Sequence, residues 1–357
     1  MEKRLQRLRE QLHKEGLEAV LVSHPVNRRY LSGFTGSAGY LLITQDNNWL
    51  LTDFRYMSQA PAQAKAFEVV EHAPSFMDTV KQLLGEAGIG RVGFEPQTVV
   101  YSDYQAWAET LGSVALVPAP PMIEQLRMIK DESEIAIMQD AANLADETFR
   151  HITNLLRPGI SEADIALEME VFMRSRGAAS SSFETIVASG ERSALPHGVA
   201  SGRVIQSEEF VKLDFGAYYN GYCSDLTRTV YIGTQPTAKH QEIYTIVLEA
   251  QMYALEHIRP GMTGKEADAL TRDIITRYGY GDCFGHSTGH GLGMEIHESP
   301  RLSKLSDTVL TPGMTVTVEP GIYLPGFGGV RIEDDVVITD NGIKILTSSP
   351  KHFMMLS

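Results

Sequence analysis

The chain has 357 residues, 43% of them apolar, enough for about two domains at roughly 150 residues each, with a sizeable core. Its formal charge of −14 leaves no basic surface to displace counterions from a phosphate backbone, which excludes nucleic acid as a partner. Cys223 and Cys283 form neither a disulfide framework nor a CxxC pair, and no run approaches the ~18 apolar residues of a membrane span. The expectation is a soluble, cytoplasmic protein with no membrane partner.

The first residues, MEKRLQRLREQLHKEG, are charged and helix-periodic and do not resemble an apolar signal core. Short strands follow: AVLV, then GYLLIT and WLLTDF joined through QDNN, a polar spacer suited to a hairpin. The glycines of SGFTGSAGY (Gly33, Gly36, Gly39) lead into a strand and do not open a helix, so they read as a glycine turn and not as a nucleotide loop. FMDTVKQLLGEAG reads as a helix, making this part mixed α/β. Pro118, Pro120 and Pro121 then interrupt regular structure, and the domain boundary is placed there, giving domains 1–122 and 123–357.

Beyond the boundary, DESEIAIMQDAANLADETFRHITNLL has the three- and four-residue apolar spacing of a long amphipathic helix. After RPGIS, Ser161 with Asp164 predicts a capping box opening a second helix, through about Arg176. The arrangement recurs in EIYTIVLEAQMYALEHIRPGMTGKEADALTRDIITRYGY. Arg157-Pro158-Gly159 and Arg259-Pro260-Gly261 lie 102 positions apart (157 to 259). Strands follow each helix pair, and they carry acids at matching places: Asp214 and Glu319 (105 apart), Asp225 and Glu333 (108 apart). Two α/β halves related by a pseudo-twofold axis are expected, with the acid-bearing hairpins meeting at the centre.

In KLDFGAYYNGYCSDLTRTV, Asn220-Gly221 suits a two-residue type I′ turn. That turn sets Asp214 opposite Thr227 and two residues out of step with Asp225, so both carboxylates point to one side. Four acids brought together raise one another's pKa and oppose folding unless a cation compensates. Two divalent ions would supply the matching charge. Three histidines, His286, His290 and His297, fall within GHSTGHGLGMEIHESP, whose glycines disfavour a helical HExxH zinc motif. In an extended segment His286 and His290 share a face, with His297 carried further along. His197, in the loop-like SALPHGV, is a fourth candidate.

This set, Asp214, Asp225, His290, Glu319 in VTVEPG and Glu333 in RIED, strongly resembles the ligand pattern of the pita-bread metallopeptidases. That group includes methionine aminopeptidase, aminopeptidase P and prolidase. The resemblance covers nearly the whole chain: an α/β fold with a pita-bread catalytic domain from 123 to 357, preceded by a creatinase/aminopeptidase P type N-terminal domain. The N-terminal domain turns the expectation toward proline peptides. FETIVASGERSALPHGVAS, SDLTRTVYIG and PGIYLPGFGGVRIEDD are most similar to small bacterial aminopeptidases P, with Xaa-Pro dipeptidase as the alternative. By that resemblance Asp214, Asp225, His290, Glu319 and Glu333 hold two divalent ions, manganese before cobalt or zinc, with Asp225 and Glu333 bridging. His197, His286 and His297 contact the substrate or its transition state, Arg331 supports the ligands, Glu319 shuttles a proton, and the protein is a homodimer. Cys223 gets no role. A creatinase-like amidinohydrolase and a non-catalytic binding module on the same fold both predict broken ligands, and all five are intact.

Overall fold

The computed structural model describes residues 1–72 and 74–357. These divide into two compact units, Met1–Arg127 and Met128–Ser357.

In the first unit, Ala19–Val22 lies inside a six-stranded mixed sheet, antiparallel to Tyr40–Thr44 and parallel to Arg91–Phe94. The QDNN hairpin forms with Ile43 opposite Asn48. Leu21, Leu42, Trp49, Leu51, Val92 and Leu116 pack beneath the helices Phe76–Glu86 and Tyr101–Leu111. The glycine turn is a turn: Gly33, at φ 77°, caps the helix Pro25–Ser32, and Arg28 bonds the carbonyls of Gly36 and Gly39 (each 2.6 Å) ahead of the strand Tyr40–Thr44.

The duplication is visible throughout the second unit. Helix Glu132–Thr153 pairs with Glu162–Ser175, and Ala238–His257 with Gly264–Arg277. Asp131 with Glu134, and Thr263 with Glu266, close full capping boxes. At Ser161 the box is half formed: its hydroxyl takes the Asp164 N–H and donates to the Asp164 carboxylate at 2.6 Å. Gly159 (φ 95°) and Gly261 (φ 92°) turn the chain in equivalent left-handed conformations, and their N–H groups bond Ile205 and Leu310 carbonyls. In the first half, Phe149, Ile152, Ile165 and Met169 pack on Val187, Val211, Leu213 and Val230 of the sheet Met355–Leu356, Leu226–Ile232, Glu209–Phe215, Ile186–Ser189. In the second, Ala254, Leu255, Ile258 and Ala267 pack on Leu302, Val316, Val336 and Ile338. Each such large aliphatic side chain contributes about 1.5–3 kcal/mol on burial, so the helix pairs fix both sheets firmly.

The hairpins position the site. Asn220 (φ 49°) and Gly221 (φ 92°) form the type I′ turn, and Thr227 stands opposite Asp214 as the sequence predicts. Both hairpins break midway. The first is interrupted at Gly216 on one side and Ser224–Asp225 on the other, where a Cβ on Gly216 would stand 1.7 Å from the Ser224 carbonyl oxygen. Only glycine permits that approach. In the second, Val318 pairs with Asp334 and Gly321 with Arg331, so the common register sets Glu319 opposite Glu333 in the gap. The hairpins meet where the Glu333 N–H bonds the Thr227 carbonyl (3.1 Å) and the Thr229 hydroxyl bonds the Arg331 carbonyl (3.0 Å).

Candidate metal centre

At these breaks, Asp225, Glu319 and Glu333 are released from the ladder and converge. Their backbone N–H groups bond the Asp335 carboxylate (2.9 Å), the Thr288 carbonyl (2.8 Å) and the Thr227 carbonyl, so each acid is anchored through its main chain and its carboxylate is left to the cleft. The cleft measures about 440 Å³, and all nine residues singled out from the sequence line it: His197, Asp214, Asp225, His286, His290, His297, Glu319, Arg331 and Glu333. The size is that of a small-ligand site.

Asp225, His290 and Glu333 form the tightest group, with one ligand atom from each lying within 4.8 Å of the others. His290 Nε2 stands 3.6 Å from Asp225 Oδ2 and 3.4 Å from Glu319 Oε1. The ring is oriented by its other nitrogen, 3.0 Å from the Gly291 carbonyl, which leaves Nε2 for a ligand. Asp214 stands apart from the tight group, ion-paired to Arg331.

Electrostatics mark the cluster as one that calls for a cation. Burial, reinforced by Glu333 and Asp214, raises the Asp225 carboxyl well above its ordinary range. Glu333 is raised by burial and then by Glu319 and Asp214, and Glu319 is pushed up to about 7, chiefly by burial. Burial pushes His290 down to about 3, keeping it neutral as a metal ligand must be. Asp225 Oδ1 is buried with no hydrogen-bond partner. A buried acid oxygen without a donor, in a cluster of carboxylates beside a neutral imidazole, fits divalent metal ions.

The remaining histidines divide. The His297 ring lies 4.3 Å from that of His290 at 78°. His286 is drawn toward Tyr323, whose hydroxyl is 2.7 Å from Nε2, and burial lowers it to about 3. The segment they occupy is extended only over Gly289–Gly291. The glycines around it carry loop, so His286 and His290 take different partners.

Three neighbours escaped the sequence reading. The Tyr323 hydroxyl accepts from Arg331 Nη1 at 2.6 Å, the Thr227 hydroxyl donates to Glu333 at 2.5 Å, and Asp335 holds Asp225 through its backbone. Thr227 alone left a signal, as the residue opposite Asp214.

The family model for metallopeptidase family M24 matches residues 136–340, and that for the creatinase/prolidase N-terminal domain matches residues 4–129. A Pyrococcus furiosus Xaa-Pro dipeptidase is 41% identical over 355 residues, covering 99% of this chain and 100% of that one. A solved Xaa-Pro dipeptidase from Bacillus anthracis superposes with a TM-score of 0.97 at 52% identity, covering 99% of each chain. A solved X-Pro aminopeptidase from Thermotoga maritima gives 0.91 at 39%, covering 97% of this chain and 100% of that one. The fold is thus an N-terminal creatinase-type domain followed by a pita-bread domain. Because the M24 model spans more than half the residues and the relatives match from end to end, the chain belongs to metallopeptidase family M24.

Proposed function

We propose that this metallo-exopeptidase is an Xaa-Pro dipeptidase. It hydrolyses X–Pro dipeptides in this cleft, where Asp214, Asp225, His290, Glu319 and Glu333 would hold two divalent ions. The observation that carries the choice of a dipeptide is Arg301. This residue lines the cleft and is exposed, and its guanidinium makes no ion pair or hydrogen bond among the described residues. It stands opposite His290 across the strand pair, a place suited to the free carboxylate of a two-residue substrate. The dipeptidase relatives point the same way, so this reading is preferred to the aminopeptidase P that the motifs first suggest.

Two bound divalent ions, most suitably manganese for an oxygen-rich set with one imidazole, would lower the pKa of water and polarise the scissile carbonyl. Glu319 takes the proton from the attacking water and delivers it to the prolyl nitrogen as the C–N bond breaks. His197 and His297 hold the substrate carbonyl oxygen as it gains charge. Arg331 keeps Asp214 and Tyr323 in place from behind. Phe183, Ile186, Pro196, Val199 and Ile296 form an apolar wall that accepts a proline ring, whose amide lacks the N–H that most peptide-binding sites use. The proposal includes a homodimer and a cytoplasmic location, the latter supported by the free thiols of Cys223 and Cys283.

One observation favours the aminopeptidase as a second reading. Phe183, Glu184 and Val199 also line an adjoining groove of about 440 Å³ that runs past Leu167, with room for a longer peptide. Incubating the manganese-loaded protein with an X-Pro dipeptide, its C-terminal amide and an X-Pro-Y tripeptide, with products read by mass spectrometry, separates the two. Cleavage of the dipeptide far ahead of the others supports the proposal; preferred release of X from the tripeptide overturns it in favour of the aminopeptidase.

A further inference from the structure

We propose that Lys212 is a positioning residue that fixes His197 in the cleft by holding the two carbonyls just before it. Lys212 lies in the middle of the strand Glu209–Phe215 and is fully buried. Its Nζ donates to the Leu195 carbonyl at 2.6 Å and reaches the Pro196 carbonyl at 3.4 Å, and it lies 5.0 Å from the centre of the Tyr323 ring. Among the described residues it has no carboxylate within ion-pair distance. A charge placed there without a counter-ion opposes folding, and an apolar side chain of the same length would fill the space with less penalty. The carbonyl hydrogen bonds return part of that cost, so fold stability alone is a weak reason for a lysine at this position. What the ammonium supplies, and an apolar chain cannot, is several donors aimed at one short turn.

That turn leads directly into His197. It follows the short helix Gly190–Ala194, and the Pro196 carbonyl is held a second time by Arg331 Nη1 at 3.1 Å. The flanks are secured separately, where Arg192 bonds the Val199 carbonyl and the buried Glu162 carboxylate accepts from Ser189 and Ser201. Leu195 itself is 49% exposed, so its side chain does nothing to hold the turn inward. Lys212 stands two residues before Asp214 on the same strand, hence on the same face, with Thr229 and Thr227 as their respective partners. One strand face thereby carries both an acid of the metal centre and the clamp on the His197 turn, which sets the separation between them. A displacement of ~1 Å at such a site lowers turnover by about a hundredfold.

The inference rests on the proposed role of His197 in holding substrate, so the test has one arm that needs no substrate. Wild type, Lys212→Met, His197→Ala and the double variant are compared for kcat and KM on an X-Pro dipeptide, manganese content and thermal midpoint. The His197 imidazole resonance is followed by NMR in the metal-free Lys212→Met and wild-type proteins. Expected for Lys212→Met are unchanged manganese content, a midpoint within a few degrees of wild type, a kcat/KM reduced about tenfold to a hundredfold, and a shifted or broadened His197 resonance. The double variant should be no slower than His197→Ala alone. Wild-type kcat/KM in Lys212→Met, multiplying losses in the double variant, lost manganese, or an unchanged His197 resonance would each overturn the inference. If the wild type fails to cleave the dipeptide, the dipeptidase reading falls, and the resonance alone decides the role of Lys212. Should Lys212→Met not fold, Lys212→Gln, of similar length and without charge, serves in the same comparisons.

Discussion

Replacing Arg331 by Met removes a guanidinium that is 3% exposed and donates to four acceptors. Nε bonds the Thr227 hydroxyl at 3.1 Å, Nη1 bonds the Pro196 carbonyl at 3.1 Å and the Tyr323 hydroxyl at 2.6 Å, and Nη2 pairs with Asp214. Asp214 is itself buried, and Arg331 is its one ion-pair partner among the described residues. Removing one member of a buried pair leaves the other charge uncompensated, at a cost of about 3–5 kcal/mol. In the metal-free protein the whole of this loss should appear. With metal bound, the ions take over as counter-charge for Asp214, and the loss shrinks to about 1–2 kcal/mol, the order of the remaining neutral hydrogen bonds. Urea unfolding of wild type and R331M, each with chelator and with manganese, measures both values. Equal losses in the two forms, or a metal-free loss below about 1 kcal/mol, would refute the coupling of Arg331 to the metal centre through Asp214.

Asp225→Asn should abolish manganese uptake and hydrolysis yet raise the unfolding midpoint of the metal-free protein, by about 2–4 °C for each kcal/mol of relieved repulsion and burial; calorimetry showing a lower midpoint would contradict the electrostatic account. The metal-free protein should lose stability as pH rises from about 4.5 through about 7, because carboxyls with raised folded values favour the fold fully below their unfolded pKa and withdraw that support as pH rises through the folded one. Glu319, at about 7, and Asp225 and Glu333, raised well above their range, all act in that direction. His286 and His290, lowered from 6.5 to about 3, act in the opposite direction between those values, where the unfolded chain takes up protons that the fold does not, so the decline is clearest above about pH 6.5. The metal-loaded protein should show no such decline, and a flat metal-free profile would refute the sign. Arg301→Ala should lower kcat/KM for an X-Pro dipeptide about tenfold or more, the worth of a charged hydrogen bond, and leave its C-terminal amide unaffected; equal effects on both would remove Arg301 from carboxylate recognition.

Most of the site could be read in the sequence because its geometry is local. Asn220-Gly221 fixes a turn, the turn fixes a register, and the register sets Asp214 opposite Thr227. The duplicated RPG turns similarly announce two equivalent helix pairs. The midway breaks were not foreseen, although Gly216 within a strand was the available sign of a close backbone approach. Tyr323 and Lys212 left no sign at all. Each acts through contacts between segments far apart in the chain, Tyr323 with Arg331 and His286, Lys212 with the Leu195 turn, and no periodicity encodes a tertiary contact. Arg301 was likewise silent, since a lone basic residue on a strand is ordinary until the cleft beside it is known.

On the proposed function, these carboxylates and His290 hold the ions on which dipeptide hydrolysis depends. Titrating the metal-stripped protein with manganese while following X-Pro dipeptide cleavage and bound metal together tests it most directly. Cleavage should be absent at the start, rise with occupancy, level off at about two ions per chain, and be lost completely on adding chelator. Cleavage that persists in chelator, or metal that binds with full occupancy to Asp225→Asn, would contradict it.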